Sequence, residues 1–113
     1  MVDKISSEAF ENYLVYLKVE RILSQNTIKN YSHDIKEYLA FLEKEKISDW
    51  SEVNRYTILS FLEKLRKENK SPQTISRYTS SLRQFHQFLV RENIMGEDPM
   101  QYVDSPKLSR KLP

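Results

Sequence analysis

Cysteine is absent from this 113-residue chain, glycine occurs once, at Gly96, and proline four times. Without cysteine, neither a disulfide nor a thiolate metal site contributes, and a reducing, cytoplasmic setting is expected. Sandwiches and barrels need many tight turns, so a single glycine argues for long helices with few connections. No long apolar run is present, so neither a signal peptide nor a transmembrane helix is expected. A chain of this length suits one domain, burying about two-thirds of the surface it would expose unfolded.

Charge of one sign is also missing locally. The net charge of +2 is too small to imply a nucleic-acid partner. Its distribution says more. From Arg21 to His33, and again from Asn69 to Arg91, there is no acidic residue, and the second stretch carries Lys70, Arg77, Arg83 and Arg91. The tail adds Lys107, Arg110 and Lys111 unopposed. Two internal segments have thus been kept clear of carboxylates.

Apolar residues recur at three- and four-residue spacing, which predicts four helices. The first runs from about Ser7 to Arg21 on Phe10, Tyr13, Leu14 and Leu17. The second starts at a Ser24 cap and reaches about Glu45, burying Ile28, Tyr31, Ile35, Tyr38, Leu39 and Leu42. The third spans about Asn54 to Glu68 on Ile58, Phe61, Leu62 and Leu65. The fourth opens with a Ser71 cap and Pro72, where a missing N–H costs nothing, and buries Ile75, Tyr78, Leu82, Phe85 and Leu89. Asp98-Pro99 predicts a short fifth helix to about Tyr102, and Trp50 a lid over one end of the bundle.

The second and fourth helices are related. At a shift of 47 residues, Ser24, Thr27, Ile28, Tyr31, Phe41, Leu42, Glu45 and Ile47 meet identical residues at Ser71, Thr74, Ile75, Tyr78, Phe88, Leu89, Glu92 and Ile94. Part of this agreement follows from amphipathic periodicity alone, but the shared S-x-x-T-I-x-x-Y opening fixes polar positions too. The first and third helices align more faintly at a shift of 48. The predicted fold is therefore all-α, two helical hairpins forming a four-helix bundle.

Each repeated helix begins with a hydroxyl cap and an acid-free first turn, where carboxylates would ordinarily complement the helix dipole. Neutral first turns leave room for an external anion such as phosphate. Outward on the fourth helix lie Gln73, Ser76, Arg77, Ser80, Gln84 and Gln87, flanked by Ser81 and Arg83. Short hydrogen-bonding residues among arginines suit a helix in a DNA major groove. The second helix repeats this more weakly in Asn26, Lys29, Asn30, His33 and Lys36. A merely solvated helix face is the bland alternative, but such faces mix Glu with Lys, as Glu63, Lys64, Arg66, Lys67 and Glu68 do on the third helix.

Catalytic signatures are lacking. Tyr13, Tyr31, Tyr38 and Tyr78 sit on apolar stripes, which predicts buried rings with hydroxyls near the rim rather than nucleophiles. His33 and His86 have no partner at metal-ligand spacing. There is no Gly-rich phosphate loop, no H-E-x-x-H and no G-x-S-x-G, so no cofactor, metal or catalytic centre is expected.

The segments FENYLVYLKVERILSQNTIKNYSHDIKEYLAFL, KSPQTISRYTSSLRQFHQFLVRENI and EDPMQYVDSPKLSRKLP resemble the core-binding domain of Xer-type tyrosine recombinases and phage integrases. The resemblance implies a SAM-like domain over residues 1–103, and a linker beginning at 104–113 that leads to a catalytic domain. It also implies double-stranded DNA as partner, gripped between the two domains at a recombination half-site, with four protomers assembling on synapsed DNA and the isolated domain monomeric. In the family, the catalytic domain carries the tyrosine nucleophile, so this segment is expected to do no chemistry. Carried over by position, the DNA-facing residues are Thr27, Lys29, Asn30 and His33, then Ser71, Thr74, Arg77, Ser80, Ser81, Arg83 and Gln84, with Lys107, Arg110 and Lys111 in the linker. The first and fifth helices would touch neighbouring protomers.

Two other readings compete. A non-catalytic helical protein-interaction module would expose an apolar patch, and Phe41, Phe88 and Val90 are where it would lie. A free-standing transcriptional regulator would pair a recognition helix with a tight turn and a dimer face, and neither is visible.

Overall fold

The computed structural model describes residue 5 and residues 7–103. Lys107, Arg110 and Lys111 of the expected linker lie outside them. The elements follow in the order α1 (Ser7–Val19), α2 (Gln25–Lys44), a 3-10 turn (Trp50–Glu52), α3 (Arg55–Lys67), α4 (Pro72–Arg91) and a second 3-10 turn (Pro99–Tyr102). No strand occurs among the described residues. The fold class is as expected, and the short fifth helix is a single 3-10 turn. No described helix is long and apolar enough to cross a membrane.

The helix starts share one construction. Ser24 Oγ accepts the Thr27 N–H at 3.2 Å while its hydroxyl donates to Thr27 Oγ1 at 3.0 Å. Ser71 does the same to Thr74 at 3.1 and 3.0 Å. The S-x-x-T pattern is thus a cap in which each hydroxyl serves the helix end. Helix α3 uses Asn54, whose side chain accepts from Tyr56 and Thr57, with the Thr57 hydroxyl accepting from the Asn54 N–H.

The helix ends explain how one glycine suffices. Lys46, Asn69 and Asn93 adopt left-handed backbone with φ of 63°, 65° and 62°. Behind them Ile47, Lys70 and Ile94 donate back to the carbonyls of Leu42, Leu65 and Leu89. These are Schellman closures made without glycine, two of them on asparagine, the residue that tolerates this conformation next best. The structural repeat therefore extends past the helices, since Lys46 and Asn93 are 47 residues apart, as are Ile22 (φ 50°) and Asn69.

Helix α4 is the centre of the molecule, packing against α1, α2, α3 and the second 3-10 turn. Nine of its twenty residues are buried, including Thr79, Ser81 and His86. That exceeds one stripe, because neighbours cover α4 from several sides. Rings fill the core: Tyr13 meets Phe85 at 5.0 Å and Phe88 at 5.3 Å, and Phe61 meets Tyr38 at 5.4 Å and Phe41 at 5.2 Å. Trp50 is 1% exposed, edge-on to Phe85 and His86, and so closes the bundle as expected.

Two tyrosines depart from expectation. The Tyr13 and Tyr38 hydroxyls are buried rather than at the rim. Tyr38 finds a partner in His86 Nε2 at 2.7 Å, whereas Tyr13 Oη has none. His86, which carries no apolar signal, is a core residue.

Candidate nucleic-acid interface

What remains outside on α4 is a narrow polar ridge. Gln73, Arg77, Ser80 and Gln87 are exposed, and Ser76, Arg83 and Gln84 half-buried. Over residues 26–36 of α2 the exposed polar residues are Asn26, Lys29, Asn30, His33 and Lys36. Both helix starts are open to solvent at Ser24 to Asn26 and Ser71 to Gln73. Across residues 25–36 and 72–91 the only carboxylate is Asp34.

Asp34 joins the two helices. It is fully buried, and its oxygens accept from Arg77 Nε at 3.0 Å, Arg77 Nη2 at 2.6 Å and the Ser81 hydroxyl at 2.7 Å. His33 Nδ1 stands 3.4 Å from the same carboxylate, and the His33 ring meets Tyr78 edge-on at 6.3 Å. Tyr78 donates to Glu37 at 3.3 Å and lies under the Arg77 guanidinium at 5.1 Å. Hydrogen bonding to Asp34 raises the Arg77 pKa, so this cation stays charged. Asp34 is thereby turned inward and paired, and His33 and Arg77 are gathered at its rim.

The profile of the phage integrase N-terminal SAM-like domain matches residues 10–93. The chain belongs to this family. It is similar to the tyrosine recombinase XerD of Oceanobacillus iheyensis, 42% identical over 106 residues that cover 93% of this chain and 36% of that protein. It is also similar to tyrosine recombinase XerD of Staphylococcus saprophyticus, at 40% identity over 91% of this chain and 35% of that protein. Tyrosine recombinase XerC of Anoxybacillus flavithermus is 38% identical over 89% and 34%. The chain thus spans about a third of the length of these relatives. In fold it resembles the crystal structure of the N-terminal domain of a phage integrase/site-specific recombinase from Haloarcula marismortui. The TM-score is 0.81 and the identity 21%, covering 91% of this chain and 98% of that one.

Within this SAM-like domain, the residues expected to face DNA separate into three groups, with Arg83 half-buried on α4 beside them. Lys29, Asn30, His33, Arg77 and Ser80 are exposed on α2 and α4, and His33 and Arg77 meet at Asp34. Thr27, Ser71 and Thr74 stand at the exposed helix starts with their hydroxyls engaged in caps, and Gln84 accepts a 2.6 Å bond from Arg21. Ser81 is a correction. It is fully buried, its hydroxyl given to Asp34, because its position on α4 points at the α2 crossing rather than outward. Asp34 itself was missed by reading the faces, since an acid beside a polar stripe looks like a surface residue. The signal was its place in the repeat: shifted by 47, Asp34 lands on Ser81, so equivalent positions meet where the hairpins cross.

The patch that would mark an interaction module is not at the expected place. Phe41 and Phe88 are buried and Val90 half-buried. The exposed apolar residues are instead Val15 and Val19 on α1 and Ile22 just beyond its end, with Tyr56, Leu59 and Tyr102 on the α3 side.

Proposed function

We propose that this domain binds double-stranded DNA through the α2–α4 surface, as the DNA-gripping arm of a protein that carries out site-specific recombination. The observation that carries this reading is electrostatic. Two helices of one design expose their starts and a set of polar side chains, and Asp34, the sole carboxylate across residues 25–36 and 72–91, is buried against Arg77. Lys29, Lys36 and the open end of Arg77 then face a polyanion, with solvent-exposed helix starts to receive phosphates. Membership of a recombinase domain family agrees with it. The tyrosine nucleophile belongs outside this domain, and strand breakage and rejoining, by four protomers on synapsed sites, require that further part.

Titration of a DNA duplex of about 30 base pairs tests this. Backbone-driven binding should give a dissociation constant on the order of 10⁻⁴–10⁻⁶ M that rises steeply with salt. Affinity indifferent to salt would count against it.

The exposed apolar pair Val15 and Val19 on α1, with Ile22 just past its end, supports a second surface there, suited to a neighbouring copy of the domain on DNA. Val19→Glu should then weaken cooperative loading of two copies on one duplex without changing single-copy affinity. Equal cooperativity in the variant would dismiss it.

A further inference from the structure

We infer that Asp34 is a positioning residue: its buried carboxylate clamps the Nε–Nη2 edge of Arg77, so that the remaining Nη1–Nη2 end is held outward as a fixed donor pair for DNA. The inference rests on the α2–α4 surface being the DNA-binding face.

The geometry supports more than a staple between helices. Asp34 is 0% exposed, whereas the Arg77 side chain is 41% exposed, so the pair is buried at one end and open at the other. A guanidinium presents its donors in a rigid planar fork. Two side-on bonds to Asp34 use the Nε–H and one Nη2–H. The second Nη2–H and an Nη1–H then point along the end of the fork, in the arrangement that meets a phosphate or the O6/N7 edge of guanine with two parallel bonds.

Position matters equally. Arg77 stands on the exposed ridge of α4 between Gln73 and Ser80, one turn from each, and His33 of α2 flanks the same carboxylate. If Asp34 served only to join the helices, an apolar contact would do so as well, because burying an ion pair costs desolvation that the attraction seldom exceeds by much. Ser81 explains how the carboxylate is held in turn: its hydroxyl, from the same helix as Arg77, accepts no outside role and donates to Oδ2. An unrestrained arginine would lose side-chain entropy on binding, and Asp34 removes that cost in advance.

The sign of one substitution separates positioning from plain electrostatics. Removing a negative charge from a DNA-binding surface should tighten binding to a polyanion. Positioning predicts the reverse. The experiment measures duplex affinity and its salt dependence for the wild-type domain, Asp34→Asn, Arg77→Ala and the double variant, with urea unfolding to establish the folded fraction of each. Arg77→Ala should weaken binding roughly ten-fold and lower the salt slope by about one unit. Asp34→Asn should weaken binding several-fold despite the gain in positive charge, and the double variant should bind no worse than Arg77→Ala alone. Should Asp34→Asn fail to fold, Arg77→Lys decides: it keeps the charge but cannot make the two side-on bonds, so its affinity should fall toward that of Arg77→Ala. Wild-type affinity in folded Asp34→Asn or in Arg77→Lys, or additive losses in the double variant, would overturn the positioning role while leaving DNA binding intact. A wild-type domain that binds no duplex would overturn both.

Discussion

The Tyr38 hydroxyl and His86 Nε2 lie 2.7 Å apart at the centre of the bundle, and solvent reaches neither side chain. Burial raises the Tyr38 pKa well above its usual value and lowers that of His86 to about 3, so both are neutral near pH 7. The tyrosine therefore donates, and the imidazole accepts at Nε2. Its proton sits on Nδ1, directed at the Met95 sulfur 3.2 Å away. This tautomer follows from the network rather than from a seen hydrogen.

Two Tyr→Phe substitutions should consequently diverge. Tyr38→Phe leaves the buried Nε2 without a donor and should destabilise the domain by about 1–3 kcal/mol. Tyr13→Phe removes a buried hydroxyl that has no partner, and should be neutral or stabilising by about 1 kcal/mol. Urea unfolding of the two variants checks the pair, and equal losses would contradict the assignment.

His86 also sets a pH dependence. Its folded pKa is depressed, so its contribution is complete above the unfolded value of about 6.5 and is lost as pH falls toward 3. Below pH 6.5 the unfolded chain binds a proton that the folded state refuses. At pH 5 this amounts to about 2 kcal/mol. His86→Gln cannot titrate, so the stability difference between wild type and variant should shrink by about that amount between pH 7 and pH 5. A difference unchanged by pH would mean that the ring is charged or exposed when folded.

Ile22 occupies left-handed backbone that a β-branched side chain resists, and it is 79% exposed, so little packing is given up on replacing it. The equivalent position of the second hairpin holds Asn69. Ile22→Asn should stabilise the domain by about 1 kcal/mol, seen as a higher urea midpoint at an unchanged slope. A loss of stability would assign Ile22 a packing role.

The matched caps should be matched in energy. Ser24→Ala and Ser71→Ala each delete an N-cap acceptor of the same geometry and should each cost about 1 kcal/mol. A large inequality in unfolding free energy would show that one start is held by something besides its cap.

Much of the fold was legible because amphipathic spacing and hydroxyl caps are local signals. Ser71 with Pro72, and Asp98 with Pro99, fall at their expected places. The helix ends were less legible: α1 stops at Val19 rather than Arg21, because a left-handed Ile22 breaks the pattern without glycine or proline to announce it. The site was readable as two faces and unreadable at their junction. Ser81, Asp34 and His86 are polar residues explained by partners on another helix 43 to 48 positions away, and spacing within one helix cannot reveal such a partner. Ser81, carried over among the DNA contacts by resemblance, is buried for the same reason.

Chemical-shift mapping of backbone amides during titration with duplex DNA tests the central claim most directly. Binding by the α2–α4 surface should concentrate the changes at residues 25–36 and 72–87, strongest at the two helix starts and around Arg77, with α3 residues 59–67 nearly unmoved. Changes centred on α3, with α2 and α4 silent, would contradict it.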